Sequence, residues 1–405
     1  MPQTVNINNY KITCATNLEE IEKMRDVWEG MQTHPNSDID HYLNLANTRS
    51  NIIRPHVILV TQNGHPTSMV VGRIEKLRFE LKLGYKRIYC PTIQSFTVIY
   101  GGLLGNLSGD LCEALFREIM RPLENGQADL VRFNYLDVDS NMYRLANTLP
   151  GIFSRDRFPV VNTHWRMNVP KSIEDFYKSR SSKHRGWLRR MERLLERDYP
   201  GEVKYICYKS DGELIRVFAD AEYIAQKTYQ RDLQVGFVDS EETRKIYALL
   251  AKKGRLRAYI TYIKNEPGAF WIGELYGNTF TLFSTGYDPM FRKYELGTVL
   301  FLKMLDDLCT LGVVRYLDFG FGDASYKSRF GDESWQEATV NIFSKNLNGL
   351  KINMPRILIV GSQRVALKCL KRFNLLEKIK KVWRGQLNKN TGKKLAQIDR
   401  APDRY

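Results

Sequence analysis

The stretch from Thr279 to Gly331, TFTLFSTGYDPMFRKYELGTVLFLKMLDDLCTLGVVRYLDFGFGDASYKSRFG, constrains this chain most. β-Branched and aromatic residues at alternate positions predict a half-buried strand over Thr279–Thr285. Tyr287 to Leu296 contains Asp288-Pro289, Arg292 and Lys293 and reads as a polar, basic loop. Gly297-Thr298 then opens an apolar helix over Val299–Leu311, stopped by Gly312, and Tyr316–Phe319 is the next strand. A basic loop feeding a helix N-terminus suits an anion, because unpaired N–H groups and the helix dipole both face the incoming charge. The alternative is a βαβ unit whose glycines serve only turns.

The rest of the chain alternates strands and helices. Leu18, Ile21, Met24, Val27, Trp28 and Met31 lie at helical spacing, and Asp40–Ala46 reads as a second helix. Val57–Thr61 and Ser68–Ile74 flank Asn63-Gly64, which is hairpin chemistry. Arg87–Cys90 and Phe96–Tyr100 are strands. After the glycine run at 101–105, a helix over Leu111–Leu123 and a strand over Leu130–Tyr135 follow. Strand, glycine loop, helix, turn and strand therefore occur twice, at Phe96–Tyr135 and at Phe280–Phe319. Val160–Asn168 is a joining strand. Tyr177–Arg197 reads as one helix with eight Lys/Arg against two Glu. It is either a solvated face or a basic lip for an anionic substrate. Glu213–Thr228 and Glu241–Lys252 are helices, and Arg257–Ile263 and Ala269–Tyr276 are strands. Ser362–Arg384 reads as a basic amphipathic helix, and 385–405 as a polar, disordered tail.

The basicity is uneven. Residues 1–168 hold 18 Lys/Arg against 17 Asp/Glu, residues 169–345 hold 28 against 25, and residues 346–405 hold 15 against 3. A nucleic-acid or anionic-membrane argument therefore rests on the C-terminal segment. No apolar run is long enough for a transmembrane helix, and the N-terminus lacks a secretory pattern. The scattered cysteines (Cys14, Cys90, Cys112, Cys207, Cys309, Cys369) form no C-x-x-C. That predicts reduced thiols in the cytosol, neither disulfides nor zinc, and no metal cofactor. The histidines are far apart, and no G-x-S-x-G, phosphate-binding loop, dinucleotide fingerprint or kinase set is present.

The order over 279–331 resembles the acyl-CoA-binding core of the GNAT N-acyltransferase superfamily. There a helix N-terminus after an Arg/Gln- and Gly-containing loop holds the CoA pyrophosphate. The spacing from Arg292 to Gly297-Thr298 departs from the usual R/Q-x-x-G-x-G/A. The YDP start, the LDFGFGDASYKSRFG end and the S-x-K-H-R run look more like the CelD-like proteins of polysaccharide biosynthesis, relatives of the FemAB peptidyltransferases. The resemblance covers Lys171 to Lys345. It implies an α+β (mixed α/β) fold of tandem GNAT-like domains. The first would span 1–168 without binding CoA, the second 169–345, and a basic tail 346–405.

By that resemblance the donor is acetyl-CoA or another acyl-CoA. Arg292, Lys293, Gly297 and Thr298, with Ser284 on the preceding strand, would hold it. Acyl transfer to an amine needs a proton acceptor, oxyanion donors and an acid for the leaving thiolate. Asp318 and Asp323 are candidates for amine binding or proton removal, Tyr326 for the acid and Lys327 for charge neutralisation. Glu274 is a reserve base. The alternatives are that Asp318 caps a loop, Asp323 binds its own turn, Tyr326 only packs and Glu274 is an exposed strand residue. Three functions compete: acyl-CoA-dependent N-acylation of an amino sugar or related amine in envelope polysaccharide assembly, aminoacyl-tRNA-dependent transfer, and a non-enzymatic peripheral membrane role for 362–384. The expected location is cytoplasmic, at or near the inner membrane face.

Overall fold

A computed structural model of the chain describes residues 3–7, 10–83, 86–228, 236–322 and 324–372. The first half contributes β1 (Gln3–Ile7), β2 (Tyr10–Ala15), β3 (Ile52–Gln62), β4 (His65–Arg78), β5 (Leu81–Leu83), β6 (Lys86–Tyr89), β7 (Thr92–Gly105) and β8 (Leu130–Asp137). The second contributes β9 (Val160–Asn168), β10 (Val203–Tyr208), β11 (Leu256–Ile263), β12 (Glu266–Tyr276), β13 (Thr279–Tyr287), β14 (Tyr316–Phe321) and β15 (Glu333–Phe343). One 13-stranded mixed sheet runs in the order β1-β2-β3-β4-β7-β8-β15-β9-β14-β13-β12-β11-β10, and β5 with β6 forms a separate hairpin. Among the described strands only β7–β8 and β13–β14 run parallel. The closing strands cross over: β15, from the far end of the chain, lies between β8 and β9, and β9 pairs with β14. The sheet is therefore continuous from one half to the other.

Helices cover both faces, because the inner strands are apolar on both sides. In the first half, Leu111, Leu115 and Ile119 of the Gly109–Glu124 helix pack on Ile58, Val60, Val70 and Phe96. On the opposite face Trp28 and Tyr42 pack on Val57, Leu59, Met69 and Val71. In the second half the Leu296–Leu311 helix is apolar almost all round and lies at the centre of the largest core, with Trp271, Phe319 and Phe330. The Leu214–Gln226 and Glu241–Lys252 helices cover Phe270 and Ile272 on the other face. Such three-layer packing buries an apolar strand without leaving backbone groups unpaired.

Several expectations shift. The predicted 18–31 helix is two, Leu18–Glu22 and Arg25–Met31. The predicted 177–197 helix breaks where Ser181 caps a new helix, Ser182–Asp198, through the His184 N–H. The 101–105 run is the end of β7 and pairs with β4. The central helix starts at Leu296, which places Gly297 and Thr298 inside its first turn. The C-terminal helix is Leu347–Arg372, and the part of 362–384 beyond it, with 385–405, lies outside the described residues. Strands β10 and β15 carry no clear alternation and were not anticipated.

Gly273 marks a bulge between β12 and β13, where a Cβ atom would come within 2.2 Å of the Thr281 carbonyl oxygen. Gly273→Ala should therefore push the two strands apart and cost about 1–3 kcal/mol. Urea unfolding monitored by circular dichroism reads this directly; an unchanged midpoint would refute the close approach.

Candidate active site

The site begins where two strands part. β13 and β14 pair only at Thr279–Tyr316, Phe280–Leu317 and Thr281–Asp318, yet β13 continues to Tyr287 and β14 to Phe321. Two bulges turn them away from each other. β13 shifts register against β12 at Ile272/Gly273, and β14 shifts against β9 between Asp318 and Gly320. Gly320 and Gly322 allow the second bend, with φ of 66° and 101°. Beyond Asp318 the two strands have no ladder bonds to each other among the described residues, which leaves a wedge between their facing edges.

On one face of the wedge lies the start of the central helix. Asp288 accepts from the Met290 N–H and pairs with Lys227 at 2.7 Å, opening a short turn over Pro289–Tyr294. Glu295 follows in the left-handed region at φ 50°, and the Thr298 and Val299 N–H groups turn back to its carbonyl. The Leu296 and Gly297 N–H groups have no backbone acceptor among the described residues. Arg292 is exposed beside them. Lys293 is instead paired with Asp198 at 3.2 Å, which also accepts from the Tyr294 hydroxyl. Trp271 donates to the Gly297 carbonyl and anchors the turn. Tyr326 rests edge-on against Trp271 and Phe319 on this same face. Lys327 is buried and donates to the Phe321 carbonyl at the end of β14. Asp323 lies outside the described residues.

The other face opens on a cleft between the halves, and here Asp318 joins residues far away in sequence. His164 of β9 donates from Nε2 to Asp318 Oδ1 at 2.6 Å, and the Gly320 N–H reaches the same oxygen at 2.7 Å. Asp318 Oδ2 has no partner among the described residues. His164 Nδ1 lies 3.3 Å from the Tyr100 hydroxyl of β7 and 3.7 Å from Glu337 of β15. Trp335 stacks on the imidazole and donates to Glu337. Burial opposes charge on His164, but Asp318 and Glu337 outweigh it and push the imidazole up to about 9. Burial likewise opposes the Asp318 carboxylate, and its bonds to His164 and Gly320 still hold it below the usual range. The pair is thus ionised at neutral pH.

The first half supplies more than Tyr100. His34 packs edge-on against the Tyr100 ring at 4.4 Å, and burial pushes its imidazole down to about 4. The Asn36 N–H donates to its Nδ1, so the neutral ring carries its proton on Nε2. Tyr135 of β8, at φ 57°, stacks on Phe321 at 3.8 Å. Tyr100, Tyr135 and Phe321 thereby fill the corresponding wedge of the first half, where β7 and β8 stop pairing at Val98–Phe133.

A cavity of about 400 Å³ lies in the cleft beside Tyr100, lined by Asn36, His41, Asn134, Tyr247, Phe283 and Ser284 among others. Its two arginines are already engaged: Arg49 pairs with Glu242 and Arg73 with Glu75. Among the described residues His41 Nδ1 is buried without a hydrogen-bond partner. Ser284 pairs with Ile272 and so faces away from the central helix, which separates it from Arg292, Gly297 and Thr298. Glu274 is buried, not exposed. Burial pushes it up to about 7, against the pull of Arg255. It sits beside a charge cluster joining the halves, in which Asp38 binds Lys253 at 3.1 Å and Arg255 at 2.7 Å. Thr281 lies between it and Asp318 in register.

His164, Tyr100, His34 and Glu337 escaped sequence reasoning. His164 stands 154 positions from Asp318, and no local pattern links them. Among the described residues no group of three or more His, Cys, Asp or Glu is placed to hold a metal ion.

Comparison with known proteins fits this geometry. Residues 182–328 match the family model described as an acetyltransferase (GNAT) domain. The solved structure of FemX aligns over 88% of this chain and 99% of its own, at 12% identity and a TM-score of 0.53. A tandem GNAT protein from the clavulanic acid biosynthesis pathway aligns over 83% of this chain and 99% of its own, at 10% identity and a TM-score of 0.45. A conserved protein of unknown function from Bacteroides thetaiotaomicron aligns over 84% and 100%, at 12% identity and a TM-score of 0.47. No curated protein matches the chain. Residues 182–328 are thus similar to an acetyltransferase (GNAT) domain, and the mixed α/β fold that contains them is similar to that of FemX.

Proposed function

We propose that this protein is an acyl-CoA-dependent N-acyltransferase whose amine acceptor enters the cleft between the halves. The observation that carries the reading is the parting of β13 and β14 at Asp318, with a helix N-terminus behind it and a fixed carboxylate in front. The Leu296 and Gly297 N–H groups, with Arg292, suit the diphosphate of the donor. Gly297 leaves room for it, since a Cβ there would meet nothing closer than Tyr287 at 3.6 Å. The unpaired edge of β13 supplies N–H groups for the acyl oxygen as charge develops on it.

On the cleft face Asp318 Oδ2 accepts an N–H of the acceptor, and protonated His164 keeps that carboxylate ionised and immobile. Glu274, near 7, is suited to take the released proton through water, because its affinity matches neutral pH. Tyr326, on the donor face, provides a hydroxyl for the departing thiolate. The first half acts as the acceptor side, its own wedge being filled by rings. With both arginines paired, the cleft suits a neutral hydroxylated acceptor such as an amino sugar of polysaccharide or envelope assembly, more than a phosphorylated one.

Isothermal titration of the full chain with acetyl-CoA should show one site of micromolar affinity. Arg292→Ala should weaken it by about tenfold, the loss of one exposed charge-assisted contact. No heat at high micromolar acetyl-CoA, or identical curves for the variant, would overturn the donor assignment. Co-purifying RNA in that case would point to an aminoacyl-tRNA donor.

A further inference from the structure

The Leu347–Arg372 helix is apolar on two opposite sides, and the fold uses only one of them. Ile352 and Ile359 face inward, against Phe79, Leu81, Leu130 and Phe343. Leu347, Leu358 and Val365 recur at positions that fall on one line of a helix. They are 74%, 72% and 62% exposed. Two further exposed apolar segments lie on the flanks of the helix. Asn353 donates to the Phe153 carbonyl at 2.7 Å, and Ile152 and Phe153 beside it are each 60% exposed. On the other flank Gln363 reaches the Lys82 carbonyl of the β5–β6 hairpin, whose Ile88 is 50% exposed. A single exposed apolar residue needs no explanation, but a row along one helix with two further exposed apolar segments on its flanks does.

The charge around this face selects its occupant. From Asn346 to Arg372 the chain has six Lys/Arg and no Asp/Glu, and of the six whose side chains are described only Arg356 is buried, in its pair with Asp156. Lys351 and Arg364 are exposed along the helix. A second copy of the chain would bring like charges together across the contact. An anionic bilayer instead accepts the apolar side chains at its headgroup boundary and attracts the lysines and arginines around them. No helix among the described residues is long and apolar enough to cross a membrane, so the contact lies in the plane of the surface. We infer that the outward face of the Leu347–Arg372 helix, with Ile152 and Phe153, docks this protein on an anionic membrane surface. This holds whatever the wedge binds.

The test is flotation of the full chain with vesicles of phosphatidylcholine alone or mixed with phosphatidylglycerol. The wild type should float with the anionic vesicles only, and less as salt rises. Leu358→Glu with Val365→Glu should reduce the bound fraction about tenfold or more, and Ile152→Glu with Phe153→Glu should do the same. Both variants should keep the melting temperature and acetyl-CoA affinity of the wild type, because the altered residues are exposed and far from the wedge in the chain. Variants that float like the wild type would overturn the assignment, since binding would then reside elsewhere in the chain. So would no flotation together with a dimer, seen by light scattering, that Leu358→Glu abolishes.

Discussion

Replacing Asp318 by asparagine should lower kcat for amine acylation by about a hundredfold or more, the usual range for a positioned proton-transfer or amine-binding group. Acetyl-CoA affinity should stay within about twofold, because the donor contacts lie on the opposite face of the sheet. The side chain is nearly isosteric, so Gly320 and His164 can still bond to Oδ1, but the negative charge is gone. His164 then loses the partner that most raises its proton affinity, and its pKa falls from about 9 toward that of a buried imidazole.

That shift gives a second readout. A histidine whose folded-state pKa is raised stabilises the protein fully below its unfolded value of 6.5, and this stabilisation is lost as pH rises through about 9. Asp318 behaves oppositely: its carboxylate contributes above the unfolded value of 3.8 and is lost only as pH falls through its lower folded value. The wild type should therefore lose melting temperature between about pH 6.5 and 9 by more than Asp318→Asn does. Parallel melting curves for the two proteins over that window would show that the pair is not ionised. An unchanged kcat would remove Asp318 from the chemistry even if the melting curves differ.

The sequence revealed the helix face of this wedge and hid the cleft face. The 279–321 stretch is local: alternating side chains form β13, a nearly all-apolar run forms the buried helix, and Gly312 at φ 69° ends it. Each signal lies within one element. The cleft depends on strands brought together by topology. β9 was legible as a strand, but nothing in it shows that it leaves the first half to bring His164 beside Asp318. β15 has a weak pattern because it is paired on both sides within the sheet, where Glu337 and Asn341 are buried. The glycines at 101–105 suggested a loop, whereas Gly102 is required within β7 because a Cβ there would come 2.5 Å from the Val71 carbonyl. Ser284 and Glu274 were noted as single residues. Only the register of β12 and β13 shows that both face the cleft.

The exchange of closing strands makes a second large effect predictable, far from the wedge in the chain. Asp156 lies in the segment that leads into β9, with its side chain fully buried. Its Oδ1 accepts from Arg356 at 2.6 Å and from the Phe158 N–H, and its Oδ2 accepts from the Asn341 N–H of β15 at 2.9 Å. One carboxylate therefore ties together the approach to β9, the inserted β15 and the Leu347–Arg372 helix. Asp156→Ala should cost about 3–5 kcal/mol, because it leaves the buried Arg356, still bonded to the Phe158 carbonyl, without its countercharge and the Asn341 N–H without its acceptor. Urea unfolding should show a lower midpoint and a single transition, since β15 joins the two halves. Removing both charges, as Asp156→Leu with Arg356→Met, should recover much of that loss, because no unpaired charge then remains. If the single variant costs less than about 1 kcal/mol, the inserted strand is held by its ladder bonds alone. If two separate transitions appear instead, the halves fold independently, and the cleft that brings His164, Tyr100 and Asp318 together is not a fixed feature of the protein.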